Sequence, residues 1–204
     1  MADDREAILK RVNAALAPLK VRAPLPEYDP GIAVLRRLVE GRDLLELFSE
    51  RIRLFNGETL TDPAELVRRL KAGGWTHGYC DPALWPRLRP HFGEGFQVET
   101  EFDRSRVDDY AFGITRAAAA IAETGTIVLK DGSTSRRLAA LTPWVHAAVL
   151  SRKDILPDLP RAVAALGDDP NVIWCTGPSK TADIEGILIE GVHGPGVQIA
   201  LVLD

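Results

Sequence analysis

The feature that most constrains this chain is an alternation. Short apolar runs of strand length recur between segments that open with helix start signals, an order that a mainly parallel sheet with covered faces requires. The start signals are specific. Asp43 precedes Leu44, Leu47, Phe48, Ile52 and Phe55, which step by three and four, and Asn56-Gly57 closes that helix. Asp62-Pro63 with Glu65 supplies a capping carboxylate, a proline at the first helical position and an acid in the first turn, for a helix that ends at Gly73-Gly74. Trp75–Cys80 reads as a short strand, Asp81-Pro82 as the start of a short helix ending near Pro90, and Phe96–Phe102 as a half-buried strand. Ala118–Ala122 and Thr126–Leu129 follow as strands joined through Glu123-Thr124-Gly125. Then come a helix over Ser135–Leu141, a buried strand over Val145–Leu150 and a helix from Asp158 to Leu166. Strands Val172–Cys175 and Val197–Leu203 complete the order, with a short helix expected between them. The fold class is therefore α/β, with a mainly parallel sheet covered on both faces.

The first thirty residues stand apart. Pro18, Pro24, Pro26 and Pro30 each fix φ and restrict the residue before them, so the stretch reads as an extended linker, and residues 31–204 as the α/β domain. Ahead of the linker, Asp3 with Glu6 makes a capping box, and Ile8, Val12, Ala15, Leu16 and Leu19 recur at helical spacing. Such a stripe must dock on the body of its own chain or on a second copy, which leaves a homo-oligomer open. Composition then narrows the function. The 25 basic and 29 acidic residues give a net charge of -4, all of it arising after residue 100, which argues against a nucleic-acid partner. Cys80 and Cys175, far apart in the chain, cannot supply the ligands of an iron–sulfur cluster or structural zinc, and both read as reduced core thiols. His77, His91 and His146 have no histidine four residues away, so a helical metal pair is absent. No apolar run approaches the roughly 18 residues that span a bilayer, and MADDREAILK lacks a signal-peptide core. The expectation is a cytoplasmic protein with no membrane span.

Ligands of open α/β sheets sit beyond the carboxyl ends of strands, so polar, glycine-containing segments that follow strands are candidates. The first is Ala119–Leu129, where the carboxylate of Glu123 interrupts two apolar strands and is followed by Thr124, Gly125 and Thr126. Glu123 either caps a hairpin turn or serves as general base or nucleophile, beside a glycine that lets a ligand approach the backbone. The second is Thr176–Gly186. Ser179, Thr181 and the amides near Gly177 suit an anionic group at a helix N-terminus, with Lys180 as a compact charge. An ordinary capped turn, with Asp183 and Glu185 at the helix dipole, is the alternative. Ser179 stands where a phosphate-binding loop needs glycine before its Lys-Thr pair, so a nucleotide cradle is a poor fit. The third is Gly191–Gly196, a rigid turn that holds His193 either as scaffold or as a proton carrier. A site for a small carboxylate must be locally positive within an acidic half, which adds weight to Lys180, Arg136 and backbone amides.

Taken together, GITRAAAAIAETGTIVL (Gly113–Leu129), RRLAALTPWVHAAVL (Arg136–Leu150), GPSKTADIEG (Gly177–Gly186) and GVHGPG (Gly191–Gly196) resemble the LUD domain family, and within it the lactate utilisation protein C group. The resemblance covers roughly residues 40–204. Arg116-Ala117-Ala118 departs from it, since a Gly-Ala pair followed by an acid is commoner there. It implies a three-layer, Rossmann-like α/β fold similar to the sugar isomerase and CoA-transferase superfold. It also implies a cluster-free subunit of a bacterial system that oxidises L-lactate to pyruvate, part of an iron–sulfur-dependent lactate dehydrogenase complex. The clusters then sit on A- and B-type partner subunits, this chain binds no cofactor, and a small carboxylate is its substrate. In that setting Ser179, Lys180 or amides near Gly177 hold the carboxylate, and Glu123 or His193 handles the hydroxyl proton. Two other functions stay open. Glu123-Thr124-Gly125 looks similar to the element by which CoA-transferases form an acyl-glutamyl intermediate, which suggests a transferase- or folate-ligase-like enzyme; alternatively the chain is a non-catalytic assembly module.

Overall fold

The computed structural model describes residues 2–18, 36–134, 137–167, 171–182 and 187–204. The chain divides into two compact units, Met1–Pro30 and Gly31–Asp204. The first contains helix α1, Ala2–Leu16, so Asp3 lies inside the helix and not at its cap. Leu19, Pro24, Pro26 and Pro30 lie outside the described residues.

In the second unit the chain runs through α2 (Arg36–Val39), α3 (Leu44–Arg53), β1 (Glu58–Leu60), α4 (Pro63–Ala72), β2 (His77–Cys80), α5 (Trp85–Leu88) and β3 (Gln97–Glu99). It continues with β4 (Phe112–Arg116), β5 (Ala119–Ile121), β6 (Thr126–Lys130), α6 (Leu138–Leu141), β7 (Val145–Ser151), β8 (Ile155–Leu156) and α7 (Leu159–Leu166). The last elements are β9 (Val172–Cys175), β10 (Lys180–Ala182), β11 (Leu188–Glu190) and β12 (Val197–Leu203). The caps read from sequence form as chemistry dictates. Asp43 accepts from the amides of Leu45 and Glu46, Asp62 from Ala64, and Asp158 from Arg161, each satisfying an amide that the first helical turn leaves unpaired.

Six strands form the central sheet in the order β1-β12-β7-β4-β2-β3, every neighbouring pair parallel. Val145 stands level with both Phe112 and Val197, so the amino ends of β4, β7 and β12 lie side by side. A second sheet, β8-β5-β6-β9, has β6 antiparallel to both β5 and β9. Alternation along the central strands explains the layers. Phe112, Ile114, Val145, Ala147, Ile199 and Leu201 pack with Leu66 and Leu70 of α4 and Leu88 of α5. Ala148, Leu150, Ala200 and Val202 pack instead with Leu47, Phe48 and Ile52 of α3 and with Ala120, Ile127 and Leu129 of the second sheet. Each fully buried Leu, Ile or Phe contributes about 2 kcal/mol. The three-layer α/β architecture is thus as expected, except that a second sheet helps to make one outer layer.

Local expectations change in four places. Phe112–Arg116, read as no element, is the central strand β4. Phe96–Phe102 contracts to Gln97–Glu99, because Asp103 caps a 3-10 turn over Arg104–Asp109. Asp81-Pro82 opens a turn, and the helix begins only at Trp85. Among the described residues no helix follows Thr176; Lys180–Ala182 instead pairs antiparallel with Leu188–Glu190.

Candidate functional site

The strand order of the central sheet reverses between β2 and β4, since β2 leads outward to β3 and the chain then returns to β2's other side. Asp81, directly after β2, and Arg116, the last residue of β4, meet there with Arg116 Nε 2.8 Å from Asp81 Oδ2. Asp81 is only 3% exposed, and its other oxygen accepts from the Ala83 amide at 2.8 Å. Asp81 is thus a satisfied carboxylate at the carboxyl end of the sheet.

Two of the three segments singled out in the sequence, those of Ser179 and His193, meet at the opposite end. Ser179 closes the GVHGPG loop from one side: Gly191 donates to the Ser179 carbonyl, and the Ser179 amide donates to the Pro195 carbonyl, both at 2.9 Å. Trp144, just ahead of β7, closes it from the other. A Cβ on Gly191 would stand 2.4 Å from one edge of the indole and a Cβ on Gly196 2.4 Å from another, so only glycine leaves the ring its slot. The loop borders two adjoining clefts that share Leu141, His193 and Gly194. The smaller, of about 250 Å³, is lined further by Trp174, Cys175, Thr176, Gly177, Ser179 and Gln198. The larger, of about 510 Å³, is lined by Asp108, Tyr110, Trp144 and Val192. Both open beside the residues that precede β4, β7 and β12.

Of the candidate residues, the smaller cleft therefore brings together Gly177, Ser179 and His193. Lys180 is placed elsewhere: its ammonium donates to the Phe55 carbonyl at 3.1 Å and stands 3.3 Å from the Glu190 carboxylate. Glu190 also accepts from Asn56 at 2.7 Å, and that bond, with Lys180 behind it, holds its carboxyl below the usual range. Lys180 thus ties the β10–β11 hairpin to the end of α3. Ser179 and Thr181 are not at a helix N-terminus, as an anion site there would need; Thr181 lies in β10 opposite Ile189. Glu123 is 8% exposed in the β5–β6 turn, its amide donating to the Pro157 carbonyl at 3.1 Å, and it lines neither cleft. Gly125 takes a positive φ of 69° and presses on α3, where a Cβ would lie 2.3 Å from the Ile52 nitrogen. Thr124 and Thr126 reach the cleft indirectly, through a hydroxyl chain of 2.7 Å contacts from Thr124 to Thr126 and on to Thr176. Arg136, Asp183 and Glu185 lie outside the described residues.

Sequence reasoning missed the cleft floor. Gln198, 2% exposed, lines the smaller cleft and bonds His146, whose other ring nitrogen is 2.8 Å from the Thr115 hydroxyl. Gly113, His146 and Gln198 share one register row across β4, β7 and β12. Complete burial pushes His146 down to about 4, so it is neutral at pH 7. The available signal was a polar residue second in each of two long apolar runs, VHAAVL and VQIALVL. Among the described residues no three His, Cys, Asp or Glu side chains gather as metal ligands, and no helix is long and apolar enough to cross a membrane.

A lactate utilization protein C from Deinococcus radiodurans is 31% identical over 204 residues, covering 95% of this chain and 92% of the relative. One from Geobacillus is 36% identical over 66% of this chain and 67% of the relative, and one from Bacillus subtilis 35% identical over 58% and 52%. The crystal structure of a DUF162 family protein from Deinococcus radiodurans, at 1.70 Å resolution, superposes with a TM-score of 0.60 and 21% identity over 79% of this chain and 96% of that one. The LUD domain model matches residues 64–203, which include β4, the hydroxyl chain and both walls of the cleft, and the chain belongs to the LUD domain family.

Proposed function

We propose that this chain serves lactate utilisation as the cluster-free component of an L-lactate oxidising system, and that its smaller cleft holds the acid. The observation that carries the reading is the meeting of two motif segments: Ser179 and His193, fourteen positions apart, face one cavity because the Ser179 backbone clasps the histidine loop. Relatives bearing the name lactate utilization protein C supply the substrate class. The cleft offers the hydroxyls of Thr176 and Ser179, the imidazole of His193 and the amide of Gln198, which suit a carboxylate and a neighbouring oxygen. Ser179 and Thr176 hold the carboxylate and His193 accepts the hydroxyl proton, while the Cα hydrogen and the two electrons of the oxidation would pass to the iron–sulfur partner subunits.

Titration calorimetry of the full chain with L-lactate and with pyruvate tests the binding. Heat of binding that weakens roughly fivefold in Ser179→Ala is the expected result, and silence with both acids overturns it. Co-purification with cluster-bearing partners tests the assembly, since a stand-alone enzyme would need none.

A further inference from the structure

The row Thr115, His146 and Gln198 under the cleft has no fixed polarity. Both amide atoms of Gln198 lie within bonding distance of one ring nitrogen, Oε1 at 3.1 Å and Nε2 at 3.0 Å from His146 Nδ1. The Thr115 hydroxyl, 2.8 Å from the other ring nitrogen, can donate or accept. Two proton placements therefore fit one set of heavy-atom positions. With the proton on Nδ1, the ring donates to Gln198 Oε1, Thr115 donates to the ring, and the amide N–H is left to spare beyond a long 3.4 Å contact with the His146 carbonyl. With the proton on Nε2, the ring donates to Thr115 and accepts from the amide N–H, and Oε1 is left to spare. The ring is uncharged in both, since burial pushes its pKa down to about 4 and its partners are an amide and a hydroxyl. Of the three residues, Gln198 is the one that lines the cleft.

We infer that Gln198 contacts the ligand oxygen beside the carboxylate, and that the His146–Thr115 pair behind it lets this contact reverse. One cleft then holds a 2-hydroxy acid, whose hydroxyl donates to Oε1, and the matching 2-oxo acid, whose carbonyl accepts from the amide N–H. The inference rests on the reading of the cleft as a site for such acids. His146 and Thr115 are positioning residues; neither touches the ligand. Two further polar side chains behind the floor are costly to bury, and apolar residues of similar volume would serve the sheet alone as well.

Nitrogen-15 NMR of the full chain with labelled histidine reads the tautomer directly, the His146 signals being those lost in His146→Gln. Saturation with pyruvate should shift His146 towards the Nδ1–H form, and saturation with L-lactate towards the Nε2–H form. Thr115→Val gives a second measurement. A buried unpaired N–H is tolerated less well than an unpaired lone pair, so the variant favours Nδ1–H and should move the pyruvate-to-lactate affinity ratio roughly five- to tenfold towards pyruvate. The same tautomer pattern with both acids bound, or an unchanged ratio in the variant, overturns this inference and leaves the cleft's binding role standing. Binding of one acid without the other also overturns this inference alone, and failure of both acids to bind overturns both readings.

Discussion

The two ends of the central sheet solve the same problem by different means. At the carboxyl end, between β2 and β4, a buried carboxylate and a half-exposed arginine satisfy each other. At the amino end, a clasped glycine loop, an indole and a row of neutral polar groups border open space. The general rule for open α/β sheets points to the carboxyl end. It misdirects here because Glu123 and Ser179 follow strands of the second sheet, in which β6 runs against β5 and β9. Which sheet a strand joins, and not merely that it is a strand, decides where the residues after it arrive.

The largest effect that can sharpen this contrast is on acid stability. Because burial depresses His146 from 6.5 to about 4, the unfolded chain binds a proton there that the folded chain refuses, so stability rises with pH across that window. The contribution is complete above about pH 6.5 and is lost as pH falls towards 4, about 3 kcal/mol in all. Urea unfolding across this range should show the fall, and His146→Gln should flatten it; an equal slope in the variant would place the acid sensitivity elsewhere. Next in size, Arg116→Ala should cost about 2 kcal/mol by leaving the Asp81 carboxylate unpaired, although solvent reaches part of that site. Its affinity for lactate or pyruvate should not change, and a large drop in affinity would break the division between the two ends. Ser179→Ala should do the reverse, weakening binding roughly fivefold while the melting temperature stays within a degree or two, because its backbone, not its hydroxyl, clasps the loop. The smallest effect concerns the thiols. Burial pushes Cys175 up to about 11 and Cys80 up to about 12, so both should resist alkylation in the native chain, with Cys175, at the cleft, reacting first.

Much of the fold was legible where local chemistry decides it. The Asp43, Asp62 and Asp158 caps and the apolar runs of β7 and β12 announce themselves, since a capping carboxylate and a continuous buried strand have composition of their own, whereas β9, read as buried, leaves Trp174 exposed. β4 was not legible, because five residues containing Gly113 and ending in Thr115 and Arg116 carry no apolar run; its neighbours β2 and β7 make it a strand. The helix expected after Thr176 failed for a related reason. Capping-type residues in SKTAD favour a helix start locally, yet Lys180 is drawn to Phe55 and Glu190, distant in sequence, and the segment pairs as a hairpin. For the site, His193 and Ser179 were found by their unusual surroundings of glycine and proline. Gln198 and His146 were passed over because each is a lone polar residue in a strand, and only the register of parallel strands sets them side by side, within reach of the Thr115 hydroxyl.

The glycine slot around Trp144 has an optical consequence. Of the four tryptophans, Trp75 and Trp85 pack against the core on the α4 and α5 side, while Trp144 and Trp174 line the clefts. Two constant emitters and two that border the ligand space make the protein its own indicator: a molecule entering beside His193 displaces water from one indole or the other. A slip of the loop on Trp144 would redden the emission with no ligand present.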